Sequence, residues 1–195
     1  MQSLIRSLRA RPVIAAARDL ETAVAAAQSE SAAVFLLGGS IMTLPEMVAA
    51  AQSTGKRVFA HLDLLEGLGH DMAAVEWCAK CANLGGVIST RAPLLRHARE
   101  CGLMTIQRLF VMDSSSLSHG IRQLRQSNPD IVEVLPGLVP KAISQLVMAL
   151  PKSEIIAGGM VTAENEVCAA IRAGAIGVST SEDALWAIRR EDLAL

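Results

Sequence analysis

Short apolar runs alternate with longer segments of helical periodicity along the whole chain. The apolar runs are rich in β-branched residues and are mostly uninterrupted by polar ones, which is typical of strands covered on both faces. They predict eight strands, at 13–16, 33–37, 57–63, 87–89, 105–110, 131–135, 154–157 and 176–179. The segments between and after them predict eight helices, at 20–29, 44–54, 71–82, 93–101, 117–127, 140–150, 163–173 and 182–189. This repeated β-to-α unit favours an α/β fold with a parallel sheet.

The length of the chain narrows the architecture. Dividing 195 residues among eight units leaves about 24 for each, close to the least that a strand, a helix and two short loops need. We therefore predict one domain over residues 1–195, a compact TIM-type (β/α)₈ barrel, with a doubly wound open sheet as the alternative. The first dozen residues carry Arg6, Arg9 and Arg11 at helical spacing and are expected to cover the bottom of the barrel.

Composition excludes several classes of protein. The chain is 51% hydrophobic, with 18 basic and 19 acidic residues, so disorder and bulk attraction to polyphosphate or anionic membranes are not expected. Tyrosine is absent and aromatic residues make up 3%, which argues against a surface that stacks nucleic-acid bases on aromatic rings. No apolar run is long enough for a secretory signal or a membrane span, and we expect a cytoplasmic protein with reduced cysteines.

The last two units carry the strongest local signal for a ligand. Gly158 and Gly159 follow the seventh strand, and Ser179, Thr180 and Ser181 lead from the eighth strand into its helix. Glycine lets a backbone approach a ligand closely, and a helix start presents free N–H groups, so these two loops predict a phosphate site if the barrel closes. The alternative is a tight turn followed by an ordinary helix cap.

Polar residues near the ends of the third, fifth and sixth strands are predicted to meet at the barrel mouth, the end where the carboxyl ends of the strands lie. They are Asp63, Glu66, Gln107, Arg108 and Glu133. They can serve as acid and base of an enzyme, as hydrogen-bonding groups for ligand hydroxyls, or as an interior ion-pair network. Gln107 and Arg108 lie on opposite faces of an ideal strand, so only a bulge or an early strand end brings both to the mouth.

The cysteine spacing and a group of arginines are weaker indications of a functional site. Cys78 and Cys81 are spaced like a redox pair but fall inside a predicted helix, and no second pair of ligands suits a structural metal. We therefore predict no metal, no cofactor and no catalytic residue. Arginines on two neighbouring predicted helices form a stripe that faces either solvent or an RNA or protein partner. These are Arg96, Arg99, Arg122 and Arg125.

The chain resembles the glycerol-3-phosphate-responsive antiterminators of bacterial glycerol-uptake operons. The matching segments run in order over nearly the whole chain: HLDLLEG (61–67), GVISTR (86–91), TIQRLF (105–110), VEVLPG (132–137), IAGG (156–159) and STS (179–181). The resemblance implies a non-enzymatic TIM-type barrel that senses glycerol 3-phosphate and acts on leader mRNA to prevent early termination. A small barrel enzyme (isomerase, aldolase or phosphatase) acting on a triose or sugar phosphate is the alternative, because fold does not determine function.

The resemblance also implies where the ligand lies. Phosphate is expected at the two loops of the last units, with the glycerol hydroxyls near Asp63 or Glu133. The remaining mouth residues implied are Ser89, Thr90, Arg91, Gln107, Arg108 and Gly137. In the family a basic residue often follows the glycine pair, where this chain has Met160, so we expect Arg91 or Arg108 to supply the positive charge. Whether RNA is contacted directly, and whether copies of the chain associate, stay open at this point.

Overall fold

Eight parallel strands pair in chain order, and the last pairs with the first to close the sheet. The computed structural model describes residues 2–195, except for the side chain of Cys81. The strands are β1 (Val13–Ala17), β2 (Ala33–Leu36), β3 (Arg57–His61), β4 (Gly86–Ser89), β5 (Met104–Phe110), β6 (Ile131–Leu135), β7 (Glu154–Gly158) and β8 (Gly177–Thr180). This closure confirms the TIM-type barrel and excludes the open sheet.

One helix precedes the barrel and seven connect its strands. They are α1 (Gln2–Ala10), α2 (Leu20–Gln28), α3 (Leu44–Gln52), α4 (Met72–Cys81), α5 (Ala92–Glu100), α6 (Ser114–Ser127), α7 (Pro140–Ala149) and α8 (Glu164–Arg172). Within residues 2–195, no helix has the length and apolar content that crossing a bilayer requires.

Strand residues alternate between the inside of the barrel and the layer beneath the helices. Inside, the rings of Phe35 and Phe59 meet edge to face, with centroids 5.6 Å apart. Isoleucines from the other strands surround them: Ile14, Ile88, Ile106, Ile131 and Ile156. Val58 and Ala60, which flank Phe59, pack outward beneath the helices. The barrel interior is therefore a solid apolar core, and polar inward positions occur only above it.

The first helix covers the bottom of the barrel, as the sequence predicts. Leu4 and Leu8 of α1 are buried and belong to the interior apolar cluster. Arg57, at the start of β3, donates a hydrogen bond from Nη2 to Ser3 Oγ over 2.8 Å. Because the bottom is sealed, the mouth is the accessible end of the barrel.

Two predicted elements differ from the structure. The third strand ends at His61, and Asp63 lies in a 3₁₀ turn, Leu62–Leu64, rather than on the strand. The predicted helix 182–189 is wrong. Two short 3₁₀ turns, Asp183–Leu185 and Arg190–Asp192, replace it.

Tertiary contacts explain the missing eighth helix. The indole Nε1 of Trp186 donates to the carbonyl of Thr180 over 3.0 Å, which holds the chain against the end of β8. Arg189 then turns away from this segment to pair with Glu30, at 3.2 Å between Nη2 and Oε2. These two anchors end the helical pattern after one turn.

Candidate functional site

A cavity of about 200 Å³ opens at the barrel mouth, above the apolar core. Its walls come from the ends of β1, β5, β6 and β8 and from residues that follow β1, β2, β3, β7 and β8. The polar and charged residues that line it are Arg18, Arg108, Glu133, Thr162, Ser179, Thr180, Ser181 and Glu182. The cavity therefore lies where the two loops of the last units were expected to bind phosphate.

A buried ion pair forms the floor of this cavity. Nε of Arg108 donates to Glu133 Oε2 over 2.8 Å, and Ser179 Oγ donates to Glu133 Oε1 over 2.6 Å. Glu133 is 1% exposed and Arg108 8% exposed. No described residue accepts a hydrogen bond from Nη1 or Nη2 of Arg108, which lines the cavity. Glu133 thus holds the guanidinium in place and leaves most of its donors unpaired at the cavity.

The glycine pair brings the backbone to the edge of the cavity. A Cβ atom on Gly158 would lie 2.5 Å from Ser179 Oγ and 2.7 Å from Glu133 Oε1, so only glycine fits above the ion pair. Gly159 and Met160 follow with left-handed φ angles of 71° and 63°. Among the described residues, none accepts a hydrogen bond from the backbone N–H of Met160 or Val161. Unpaired N–H groups in succession form a concavity that suits an anion.

The loop after β8 is braced against the glycine loop. The hydroxyl of Thr180 donates to the carbonyl of Val161 over 2.7 Å and accepts from the N–H of Glu182 over 3.1 Å. The hydroxyls of Ser179 and Thr180 are thus both engaged by the protein, whereas Ser181 is exposed at the cavity. Only a 3₁₀ turn follows, so this loop offers individual N–H groups and no α-helix dipole.

Asp63 clamps the loop after β4 and does not line the cavity. It accepts from Ser89 Oγ at 2.9 Å, from the N–H of Thr90 at 2.7 Å and from Thr90 Oγ1 at 2.8 Å. Arg91 Nε lies 3.7 Å from Asp63 Oδ1. Burial acts to raise the pKa of Asp63, but the hydrogen bonds from Thr90 and Ser89 outweigh it and lower the pKa below its usual value. Asp63 is therefore an ionised structural carboxylate.

His61 lies between the clamp and the ion pair. It is 2% exposed, and neither ring nitrogen has a hydrogen-bond partner among the described residues. Burial lowers the pKa of His61 to about 4, helped by the charge of Arg108 and opposed by that of Asp63. The imidazole is therefore neutral at neutral pH.

Three further predicted mouth residues lie outside the cavity. Gln107 faces outward from β5, where its Oε1 accepts from Ser127 Oγ of α6 over 2.6 Å. The strand runs without interruption through Gln107 and Arg108, so ordinary alternation puts only Arg108 inside. Glu66 is exposed and pairs through its backbone with Gly39 and Ile41. Gly137 supports the glycine loop by donating its N–H to the carbonyl of Gly159 over 3.2 Å.

Two arginines of the stripe bond to neighbouring segments of the protein, and the other two are exposed at the surface. Arg99 donates to the carbonyl of Asn128, and Arg125 donates to the carbonyl of Ala149, so each ties its helix to a neighbouring segment. Arg96 is exposed with no ion-pair partner in residues 2–195, and Arg122 contacts only His119. Arg96 and Arg122 therefore lie at the surface without a carboxylate partner among the described residues.

Sequence reasoning missed three of the polar residues that line the cavity: Arg18, Thr162 and Glu182. Arg18 follows β1 directly, and that position at the carboxyl end of a strand is a signal that could have found it. No described group of three or more histidine, cysteine or acidic residues is arranged to hold a metal ion.

The fold and this site define a (β/α)₈-barrel protein with a cavity, lined by charged and polar groups, at the carboxyl ends of its strands. The chain belongs to the glycerol-3-phosphate responsive antiterminator family, whose family model matches residues 13–186. It is 36% identical over 188 residues to the uncharacterized protein YgcP of Escherichia coli, covering 96% of this chain and 98% of that one.

Solved structures show the same relationship. A glycerol uptake operon antiterminator regulatory protein from Listeria monocytogenes is 31% identical, with a TM-score of 0.85 over 90% of this chain and 95% of that one. A related protein from Thermotoga maritima is 30% identical, with a TM-score of 0.78 over 91% and 98%. Deoxyribose phosphate aldolase from Aeropyrum pernix has a TM-score of 0.68 over 95% of both chains, but at 13% identity it shares the fold alone.

Proposed function

We propose that this protein senses glycerol 3-phosphate in the mouth cavity and then acts on the leader mRNA of glycerol-uptake genes, so that transcription continues past a terminator. The observation that carries the ligand half is the buried Arg108, held by Glu133 with its remaining donors unpaired beside the cavity. A fixed guanidinium is well suited to phosphate, because its fork of donors matches the phosphate oxygens. An RNA-directed role places the protein in the cytoplasm.

The phosphate is assigned to the side of the cavity formed by the last two loops. The N–H groups of Met160 and Val161 donate to it, and Arg108 and Arg18 supply positive charge. Met160 contributes through its backbone, which explains how a chain without a basic residue at that position can still hold the ligand. Gly158, Gly159, Ser179 and Thr180 shape this side of the cavity instead of binding through their side chains.

The glycerol hydroxyls are assigned to Thr162, Ser181 and Glu182, whose polar side chains line the cavity. Asp63 is engaged by Ser89 and Thr90 and does not take part. At about 200 Å³ the cavity is smaller than the sites that hold drug-sized molecules, which favours a three-carbon phosphate over a nucleotide.

Isothermal titration calorimetry tests the ligand. Glycerol 3-phosphate should bind more tightly than inorganic phosphate, and glycerol should bind least, because the phosphate makes the charged contacts. Arg108→Met should weaken the binding of glycerol 3-phosphate by about 1.5–3 kcal/mol, the contribution of a hydrogen bond to a charged group. The control is Arg9→Gln, on the exposed face of α1 at the opposite end of the barrel. Equal binding of glycerol and glycerol 3-phosphate would contradict the ligand assignment.

Regulation requires that the ligand favour the RNA-binding state. A ligand shifts an equilibrium only by its difference in affinity for the two states, so glycerol 3-phosphate must tighten RNA binding and RNA must tighten ligand binding equally. Glycerol 3-phosphate should also be recovered unchanged after prolonged incubation with the protein. Its conversion to a product would favour a sugar-phosphate enzyme over a regulator.

A further inference from the structure

A second concave site lies outside the barrel, between α5 and α6. We call it the amide groove, and its polar lining consists of Thr90, Arg96, Gln107, Gln123, Gln126 and Ser127. Its volume is about 360 Å³, larger than that of the mouth cavity. Three of its six polar lining residues are glutamines, and each glutamine amide carries both hydrogen-bond donors and an acceptor.

One of these amides is buried and oriented by the fold. Gln107 is 5% exposed, and its Oε1 accepts from Ser127 Oγ over 2.6 Å. No described residue accepts a hydrogen bond from its Nε2, although Gln107 lines the groove. Nε2 is open to solvent at the groove, so water satisfies it when no ligand is bound. Gln107 therefore offers the groove an N–H donor whose position is fixed by Ser127.

The amide groove and the mouth cavity are lined by residues that are neighbours along the chain. Arg108 and Gln107 are neighbours on β5, one at the floor of the cavity and the other in the groove. A second link runs through the turn after β3, where Leu64 lines the cavity and the adjacent Asp63 holds Thr90 of the groove by two hydrogen bonds. A shift of β5 or of this turn on ligand binding would therefore move groove residues as well.

Charge around the groove favours a polyanion. Arg96 lies in its lining, and Arg122 precedes Gln123 on the exposed surface of α6. Neither arginine has a carboxylate partner within the described part of the chain. The nearest acidic residue on α5, Glu100, is paired with His97 at 3.2 Å. A protein partner would be expected to find an aromatic or aliphatic anchor site, whereas this groove offers mainly amides and hydroxyls.

We propose that the amide groove binds an unpaired RNA base, which Gln107, Gln123 and Gln126 read through its edge, while Arg96 and Arg122 bind the flanking phosphates. Sequence-specific RNA recognition uses splayed-out bases that are hydrogen-bonded on their edges, and amide side chains supply the donor and acceptor pair this needs. This inference rests on the proposed function, since it locates the RNA contact of that function. It also explains RNA binding without aromatic stacking, because an arginine plane can cover a base.

The test begins with RNA selected for binding. A pool of single-stranded RNA of random sequence is enriched on the wild-type protein in the presence of glycerol 3-phosphate, and the affinity of the enriched RNA is measured by fluorescence anisotropy. The test variants are Gln123→Glu with Gln126→Glu, and Arg96→Gln with Arg122→Gln. All four positions are exposed, so the fold should tolerate the changes. Matched controls are Gln28→Glu on α2 and Arg9→Gln on α1, both exposed and distant from the groove.

We expect each groove pair to weaken RNA binding at least about fivefold, and the controls to bind like the wild type. The Gln123→Glu/Gln126→Glu variant should bind glycerol 3-phosphate normally in calorimetry, since neither residue touches the mouth cavity. The Arg96→Gln/Arg122→Gln variant should also show a smaller loss of affinity with salt, because two phosphate contacts are gone. RNA binding unchanged in both groove variants would overturn the inference.

The two proposals fail in different ways. If no RNA is enriched on the wild-type protein, the proposed action on RNA fails and the groove assignment fails with it. If enriched RNA binds wild type and groove variants equally, only the groove assignment fails. Gln107→Met gives an independent check: it should relax the preference at one base of the selected RNA, and an unchanged preference would contradict the role of Gln107 as a base reader.

Discussion

Replacing Arg108 by methionine tests the charge balance at the floor of the cavity. The change keeps an unbranched side chain of similar length but leaves Glu133 facing an apolar group where Nε had donated at 2.8 Å. Glu133 is 1% exposed, so its carboxylate would keep only the hydrogen bond from Ser179. A buried charge that loses its counter-ion costs more than an exposed one, because water cannot replace the partner.

The magnitude follows from the burial of the pair. Breaking a buried ion pair by removing one partner costs about 3–5 kcal/mol, whereas replacing both partners with apolar residues is often neutral or stabilising. Arg108→Met should therefore lower the free energy of unfolding by about 3–5 kcal/mol. For a domain of this size that corresponds to a fall in Tm of roughly 6–20 °C. The double variant Arg108→Met/Glu133→Leu should recover most of this loss.

Urea denaturation followed by circular dichroism measures the stabilities, and calorimetry measures ligand affinity. Both variants should bind glycerol 3-phosphate weakly, since the guanidinium is absent from both. A stable double variant with weak affinity would separate the binding role of Arg108 from its structural role. If Arg108→Met were as stable as the wild type, or if the double variant lost as much stability as the single one, the reasoning from the buried charge would be refuted.

Three further predictions concern the same end of the barrel. Gly158→Ala should destabilise the protein by about 1–3 kcal/mol and abolish tight ligand binding, because its Cβ would lie 2.5 Å from Ser179 Oγ. The control Gly86→Ala, whose Cβ would lie 2.4 Å from the Met104 carbonyl oxygen, should lose similar stability in thermal denaturation but keep the wild-type ligand affinity in calorimetry. Thr180→Val should lower the free energy of unfolding by about 1–3 kcal/mol and weaken ligand binding, because the hydroxyl that braces the loop after β8 is lost. The control Thr54→Val loses a hydrogen bond to the carbonyl of Ala27 and should lower stability alone, so equal ligand affinity in the two variants would contradict the bracing role of Thr180. Burial holds the pKa of His61 at about 4, against 6.5 in the unfolded chain, so the unfolded chain binds the proton first as the pH falls. The free energy of unfolding should therefore drop by about 3 kcal/mol between pH 6.5 and about pH 4 because of His61. Urea denaturation at a series of pH values should show a shallower drop for His61→Gln than for the wild type, and parallel curves would rule out this effect.

Much of the fold follows from local patterns in the sequence. Most strands are uninterrupted apolar runs in which polar and apolar residues do not alternate, and this pattern is typical of strands covered on both faces. The inward position of His61 and the outward positions of Val58 and Ala60 follow from alternation alone. The place of the glycine pair after the seventh strand was also read from the sequence, and in the structure close packing above Glu133 requires glycine at position 158.

The sequence alone could not determine which polar groups the protein itself satisfies. Asp63 was expected near the ligand, but Thr90 and Ser89 engage it in a clamp that depends on the meeting of two distant loops. Gln107 was expected at the mouth on the assumption of a bulge or an early strand end, yet β5 is regular and Ser127 binds Gln107 outside the barrel. The eighth helix failed for the same reason, since the contacts of Trp186 and Arg189 override a local helical pattern.

The turn that replaces the eighth helix places an optical reporter beside the mouth cavity. Trp186 is 4% exposed, and its indole donates to the carbonyl of Thr180, between the cavity residues Ser179 and Ser181. The chain contains one other tryptophan, Trp77, on α4. In a Trp77→Phe background, the emission of Trp186 alone would follow movement of the loop after β8 in real time. Stopped-flow fluorescence could then time that movement without any attached dye.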